Sequence, residues 1–284
     1  MEVIVAKTSG FCFGIKNAVS KAEEQLNREK EVYCLGELTH NNRVLSKLEE
    51  KGLVIIKKLS EVPNNKKMII RAHGEPKITC VEARKRGIEI IDLTCPKVLK
   101  IHEIIEEYSD KNYFMLIIGE SGHPEVVGEM GYAKLCKVVQ TEEDLYETIN
   151  YIKENNIKNI LVISQTTFSM KKFDELQEII TKELQDVNIE IKKTICDATQ
   201  SRQTEAEILS KQVEAIIIIG GKNSSNTKKL YEISKKNNEN SVSIEDYKEL
   251  DLEYMKQFNK IGVIAGASTP DESIEEVVDI LRGE

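Results

Sequence analysis

An α/β fold built from three related units is predicted by three features of the chain. Short, mainly apolar β-like runs alternate with charge-rich helical segments from end to end; several of those runs, such as 114–118 and 216–219, are apolar throughout; and one spacing recurs three times. Runs apolar on both faces and separated by helices imply small, mainly parallel sheets covered on both sides.

In order, the β-like runs are 3–5, 32–35, 54–56, 68–70, 88–91, 114–118, 137–139, 160–163, 189–191, 216–219, 241–244 and 261–265. Amphipathic segments such as 16–29 and 199–210 fall between them as helices. The recurring spacing starts at cysteines. Cys12, Cys95 and Cys196 each close a β-like run and open a helical pattern, and Gly36, Gly119 and Gly220 stand 24 residues beyond them. Four residues past each glycine comes a polar group: His40, His123 and Ser224. A later strand in each unit ends near another, His73, Thr166 and Ser268. Three matches in register predict three copies of a unit of about four strands. The expected division is 1–94 (joined by the C-terminal segment 280–284), 95–190 and 191–279. Arranged about a pseudo-threefold axis, such units would turn their strand-end loops, where open α/β sheets place ligands, toward one centre.

Composition narrows the function classes. The hydrophobic fraction is 40% and the charged fraction 31%, ordinary for a globular protein, and a net charge of −8 argues against nucleic acid as a partner. No apolar run approaches the ~20 residues needed to span a bilayer, so no membrane partner is expected. The N-terminus lacks a signal-peptide pattern, which predicts a cytoplasmic protein. In that reducing compartment the six cysteines read as buried, metal-binding or catalytic thiols, not as disulfides.

Three converging thiolates can hold zinc or an iron–sulfur cluster; three buried, inert thiols are the plainer alternative. No C-x-x-C pair favours zinc. A 4Fe–4S cluster usually takes four thiolates, so three would leave one iron open as a Lewis acid. Gly10 and Gly14 flank Cys12 and let the backbone pass close to a bulky group. Cys34, Cys80 and Cys136 have no counterparts in the repeat and read as structural.

Around this centre the predicted polar ring is His40, His73, His123, Thr166, Ser224, Ser225, Asn226 and Ser268. Hydroxyl, amide and imidazole donors at helix starts suit an anionic, phosphorylated ligand. Ser224, Asn226 and Ser268 also read as plain helix caps, and the two uses are compatible. Glu125, in G-H-P-E-V, is the one carboxylate in the ring. It reads either as an acid whose proton burial retains or as a first-turn residue favouring the helix dipole. His102 lies in a helical segment and reads as structural.

The segments G-F-C-F-G-I-K-N-A-V (10–19), E-L-T-H-N (37–41), A-H-G (72–74), T-C-P-K-V (94–98), G-H-P-E-V (122–126), Q-T-T (165–167), I-C-D-A-T (195–199), K-N-S-S-N (222–226) and A-G-A-S (265–268) resemble the 4-hydroxy-3-methylbut-2-enyl diphosphate reductase (LytB/IspH) family. The resemblance covers essentially the whole chain. It implies a three-unit α/β fold around one 4Fe–4S cluster held by Cys12, Cys95 and Cys196, with one open iron facing the substrate's allylic hydroxyl. It implies reductive loss of that hydroxyl to give isopentenyl and dimethylallyl diphosphates, the last step of the non-mevalonate isoprenoid pathway. Glu125 is then the proton donor, with Thr166 and His123 beside the substrate. His40, His73, Ser224, Ser225, Asn226 and Ser268 surround it, most of them at the diphosphate end. A flavodoxin or ferredoxin is the implied electron donor. The last motif lies close to the final residue, which predicts the plain reductase without the RNA-binding extension of some members. Competing readings are a three-cysteine 4Fe–4S dehydratase of the quinolinate-synthase type, an iron–sulfur sensor and a zinc hydrolase.

Overall fold

The computed structural model describes residues 1–283. In chain order its elements are β1 (Glu2–Val5), α1 (Phe13–Leu26), β2 (Val32–Leu35), α2 (Asn42–Glu50), β3 (Leu53–Ile56), β4 (Lys67–Ile70), α3 (Lys77–Lys85), β5 (Glu89–Asp92), α4 (Pro96–Asp110), β6 (Phe114–Ile118), α5 (Pro124–Met130), β7 (Cys136–Val139), α6 (Glu142–Glu154), β8 (Asn159–Ser164), α7 (Met170–Glu183), β9 (Asn188–Ile191), α8 (Asp197–Ser210), β10 (Ala215–Ile219), α9 (Ser225–Asn237), β11 (Ser241–Ile244), α10 (Leu252–Met255), β12 (Lys260–Ala265) and α11 (Asp271–Arg282). Every predicted β-like run is a strand.

The strands form three parallel four-stranded sheets of one pattern, ordered β3-β2-β4-β5, β7-β6-β8-β9 and β11-β10-β12-β1. Burial on both faces follows from the sequence. In β6, Phe114, Leu116 and Ile118 pack with Leu145, Phe173 and Ile180 of α6 and α7, while Met115 and Ile117 pack with Ile101, Ile105 and Val126 of α4 and α5. The same alternation runs along β10: Ala215, Ile217 and Ile219 face Val277 and Leu281, and Ile216 and Ile218 face Ala206 and Leu230. Each such buried aliphatic side chain stabilises the fold by roughly 1.5–3 kcal/mol.

The division expected from the repeat needs correcting. Strand β1 does not stay with 1–94; it pairs with β12, from Glu2 opposite Lys260 to Val5 opposite Val263. After β9 only three strands remain, so the fourth position of the third sheet is filled by the N-terminal strand. A boundary at 190 also cuts β9, whose register with β8 keeps it in the second sheet. The C-terminal segment goes with the third sheet, since Leu281 shares a core with Ile217 and Val263; Glu284 lies outside the described residues. Two compact units result: one of Met1–Lys30, Glu37–Gly52 and the chain from Asp197 onward, the other of Glu31–Gly36 and Leu53–Cys196.

Candidate active site

The fourth strand of each sheet runs into a predicted ligand: β5 leads to Cys95, β9 to Cys196 and β1 to Cys12. All three cysteines make the same backbone bond. The N–H of Cys12 donates to the Ala267 carbonyl, that of Cys95 to Ala72 and that of Cys196 to Thr166, each at 3.0 Å. Those acceptors lie two residues beyond the ends of β12, β4 and β8. The three cysteines are thus anchored alike, and the period in the sequence spans the one helix and one strand that follow each of them, α1 and β2, α4 and β6, α8 and β10.

Cys12 and Cys95 occupy the N-cap positions of α1 and α4, and Cys196 directly precedes α8. Helix starts favour Ser, Thr, Asp or Asn there, as Asn41, Thr141, Ser169 and Ser224 illustrate at α2, α6, α7 and α9. A thiol caps poorly, so its use at these starts points to another purpose. All three thiols are partly exposed, and no disulfide occurs among the described residues. A partly exposed thiol of this kind is a soft donor suited to an iron–sulfur centre. By contrast Cys34, in β2, is buried, and burial pushes its thiol up to about 12. Cys80 in α3 and Cys136 at the start of β7 are pushed up by the same cause.

In the unit holding Cys95 and Cys196, Glu125 stands in the first turn of α5, 2% exposed. Its Oε1 accepts the Thr166 N–H at 2.6 Å and its Oε2 the Thr166 hydroxyl at 2.8 Å. Burial pushes its carboxyl up to about 7, against the pull of those two donors toward the charged form. His123 caps the same helix, its Nδ1 accepting the Glu125 N–H at 3.2 Å. With Nδ1 as acceptor, the neutral imidazole carries its proton on Nε2 and can donate there. His73 packs edge-on to His123, the ring centres 5.4 Å apart. Thr166 therefore grips the acid with its N–H and hydroxyl, and its carbonyl holds the Cys196 turn.

In the other unit, Ser268 Oγ donates to the His40 carbonyl at 3.4 Å, and His40 Nδ1 lies 3.1 Å from Glu37 Oε2. Gly221 must be glycine: a Cβ there would fall 2.0 Å from the His40 carbonyl oxygen. The caps expected at α9 are real, as Ser224 Oγ accepts the Thr227 N–H at 3.3 Å. That bond uses a lone pair and leaves the hydroxyl proton for an anion. Ser225 and Asn226 fill the first turn, where backbone N–H groups lack helical acceptors. Asn226 is 4% exposed and its Nδ2 has no partner among the described residues. A buried amide donor without an acceptor at a helix start is suited to a phosphate oxygen.

Other groups were not singled out by the sequence reading. Glu129, one turn after Glu125 on α5, is fully buried with neither carboxylate oxygen partnered among the described residues. Burial, reinforced by the Glu125 charge, raises its pKa well above the usual carboxylate range. The spacing of four on a helix was the available signal. Arg202 and Glu205 of α8 bind the turn before Cys12, a link between distant segments that no local pattern carries. His102 is structural as expected: it stacks on Tyr132 at 4.1 Å, and burial pushes its imidazole down to about 4.

Comparisons with known proteins agree over the whole length. The LytB protein family matches residues 3–282. The 4-hydroxy-3-methylbut-2-enyl diphosphate reductase of Thermoanaerobacter sp. (strain X514) is 40% identical over 287 residues, covering 99% of this chain and 97% of that protein. The solved structure of the E-1-hydroxy-2-methyl-but-2-enyl-4-diphosphate reductase from Plasmodium falciparum superposes with a TM-score of 0.91 at 29% identity, over 99% of this chain and 87% of that one. A second structure, of (E)-4-hydroxy-3-methyl-but-2-enyl diphosphate reductase, the terminal enzyme of the non-mevalonate pathway, is 37% identical over 100% of both chains with a TM-score of 0.72. Sheet pattern, cysteine turns and full-length similarity lead to one conclusion: this chain belongs to the LytB family.

Proposed function

We propose that this chain is a 4-hydroxy-3-methylbut-2-enyl diphosphate reductase, removing the allylic hydroxyl as water with two electrons and two protons to give isopentenyl and dimethylallyl diphosphates. The observation that carries this reading is Glu125, buried, gripped by Thr166 and held near neutrality at about 7. Family membership supplies the substrate class.

Cys12, Cys95 and Cys196 would hold one 4Fe–4S cluster, which when bound supplies the electrons and a Lewis-acid iron. The chain's own residues do the rest. In its acid form Glu125 gives a proton to the departing hydroxyl. The carboxylate left behind is met by the Thr166 N–H and hydroxyl, donors already aimed where the charge develops. His123, able to donate from Nε2, and His73 beside it orient the substrate. Ser224, Ser225, Asn226, Ser268 and His40 take the diphosphate end, helped by the start of α9. Fixing that end orients the reacting carbon. The electrons come from a flavodoxin or ferredoxin.

The test is Glu125→Gln in anaerobically purified protein. Iron content and diphosphate binding should stay near wild type, while turnover falls about 10²–10⁴-fold. Near wild-type turnover would remove Glu125 from the acid role. A colourless, fully metallated wild-type protein would overturn the cluster.

A further inference from the structure

The turn that carries Cys12 is longer than its two counterparts. Six residues separate β1 from Cys12, against four between β9 and Cys196 and two between β5 and Cys95. The shorter turns are pinned from within their own sheets. Thr94 gives its N–H and hydroxyl to Asp92 Oδ1 at 2.9 and 2.5 Å. The Thr194 hydroxyl donates to the Ser164 carbonyl at 2.5 Å, and the Ser164 N–H returns a bond to Thr194 Oγ1 at 2.8 Å.

The six-residue turn takes its main pins from α8. Glu205 Oε1 accepts the Lys7 N–H at 2.6 Å, and its Oε2 accepts the Thr8 N–H at 2.8 Å and the Thr8 hydroxyl at 2.6 Å. Burial opposes the charge on Glu205, but these donors outweigh it and hold its carboxyl below the usual range. Three residues earlier on the same face, Arg202 is 4% exposed. Its Nη2 donates to the Gly10 carbonyl at 2.7 Å and its Nη1 to Ala198 at 3.1 Å. Gly10 sits at φ +90°, a conformation disfavoured for any residue with a Cβ, so the chain bends sharply where Arg202 takes hold.

We infer that Arg202 and Glu205 are positioning residues for Cys12, a two-point clamp from α8 that holds the long β1–α1 turn in its ligand-presenting shape. The carboxylate fixes the entry at Lys7 and Thr8, and the guanidinium fixes the bend at Gly10. Between these clamped points and the Cys12 N–H bond to Ala267, little of the turn can drift. An unclamped turn would regain backbone freedom and present its thiol only part of the time. Hydrogen bonds to ionised groups are the strong ones, and each of these has one charged partner. The inference rests on reading Cys12 as a ligand.

The experiment treats anaerobically purified full-length protein with a ferrous chelator and iodoacetamide together. Mass spectrometry then follows alkylation of Cys12, Cys95 and Cys196 separately. In Arg202→Met and Glu205→Gln, Cys12 should be alkylated about tenfold or more faster relative to the other two, with iron lost sooner. Arg202→Lys and Glu205→Asp should recover part of the wild-type ratio. An unchanged Cys12 ratio in both Met and Gln variants, each melting near wild type, overturns the clamp. Should Arg202→Met fail to fold, the partly exposed Glu205 decides alone. A wild-type protein without iron would sink the ligand reading instead, and the Cys12 ratios would still report on the clamp.

Discussion

Thr166 holds both oxygens of Glu125, the N–H on Oε1 at 2.6 Å and the hydroxyl on Oε2 at 2.8 Å. Both bonds favour the carboxylate, while burial favours the acid and wins, leaving the group at about 7. Removing the hydroxyl therefore has a definite sign. In Thr166→Val the acid form is favoured further, so the alkaline fall in kcat/KM moves to higher pH. Turnover drops about tenfold because the conjugate base loses a donor. A pH–rate profile checks both, and an alkaline limb moving to lower pH would contradict the assignment.

Glu129 predicts a pH dependence of stability. Its folded pKa is raised, so its contribution is fully present below the ordinary carboxylate value and is lost as pH rises through the folded one. Glu125, raised to about 7, acts in the same direction. Wild-type protein should lose melting temperature from mildly acid to mildly alkaline pH. Glu129→Gln should flatten that slope and be the more stable protein at alkaline pH, by about 1–3 kcal/mol. Calorimetry at two pH values decides, and equal slopes in the two proteins would refute the prediction.

Two glycines, Gly122 in G-H-P-E-V and Gly221 just before K-N-S-S-N, should behave oppositely. A Cβ at Gly221 would sit 2.0 Å from the His40 carbonyl oxygen, whereas one at Gly122 would meet nothing within 4 Å. Gly221→Ala must displace backbone on one side or the other and should cost about 2–4 kcal/mol, with Gly122→Ala within about 0.5 kcal/mol of wild type. Denaturant titration of both variants measures the difference.

Asn226 offers a case where binding and stability part. Its Nδ2 is buried without a partner among the described residues, so Asn226→Ala removes a group that costs the ligand-free fold free energy. Melting temperature should hold or rise slightly, while inorganic diphosphate binds about tenfold more weakly. Calorimetric titration with diphosphate tests it; unchanged affinity would take Asn226 out of the anion site.

Much of this protein was legible in the chain itself. The twelve strands followed from apolar runs, because a strand buried on both faces, as in β6 and β10, has little room for polar residues. The three cysteine turns followed from a spacing, because each cysteine is followed by one helix and one strand of nearly equal length, which puts a strand-ending glycine 24 residues on. Tertiary structure decided what spacing cannot encode. The N-terminal strand β1 completes the third sheet by pairing with β12, more than 250 residues away, which no local pattern states. The state of Glu125 depends on burial and on Thr166, 41 residues on. The hold on the Cys12 turn comes from Arg202 and Glu205, nearly 200 residues later. Periodicity reports which faces are buried; only the folded chain determines which distant donors and acceptors meet there.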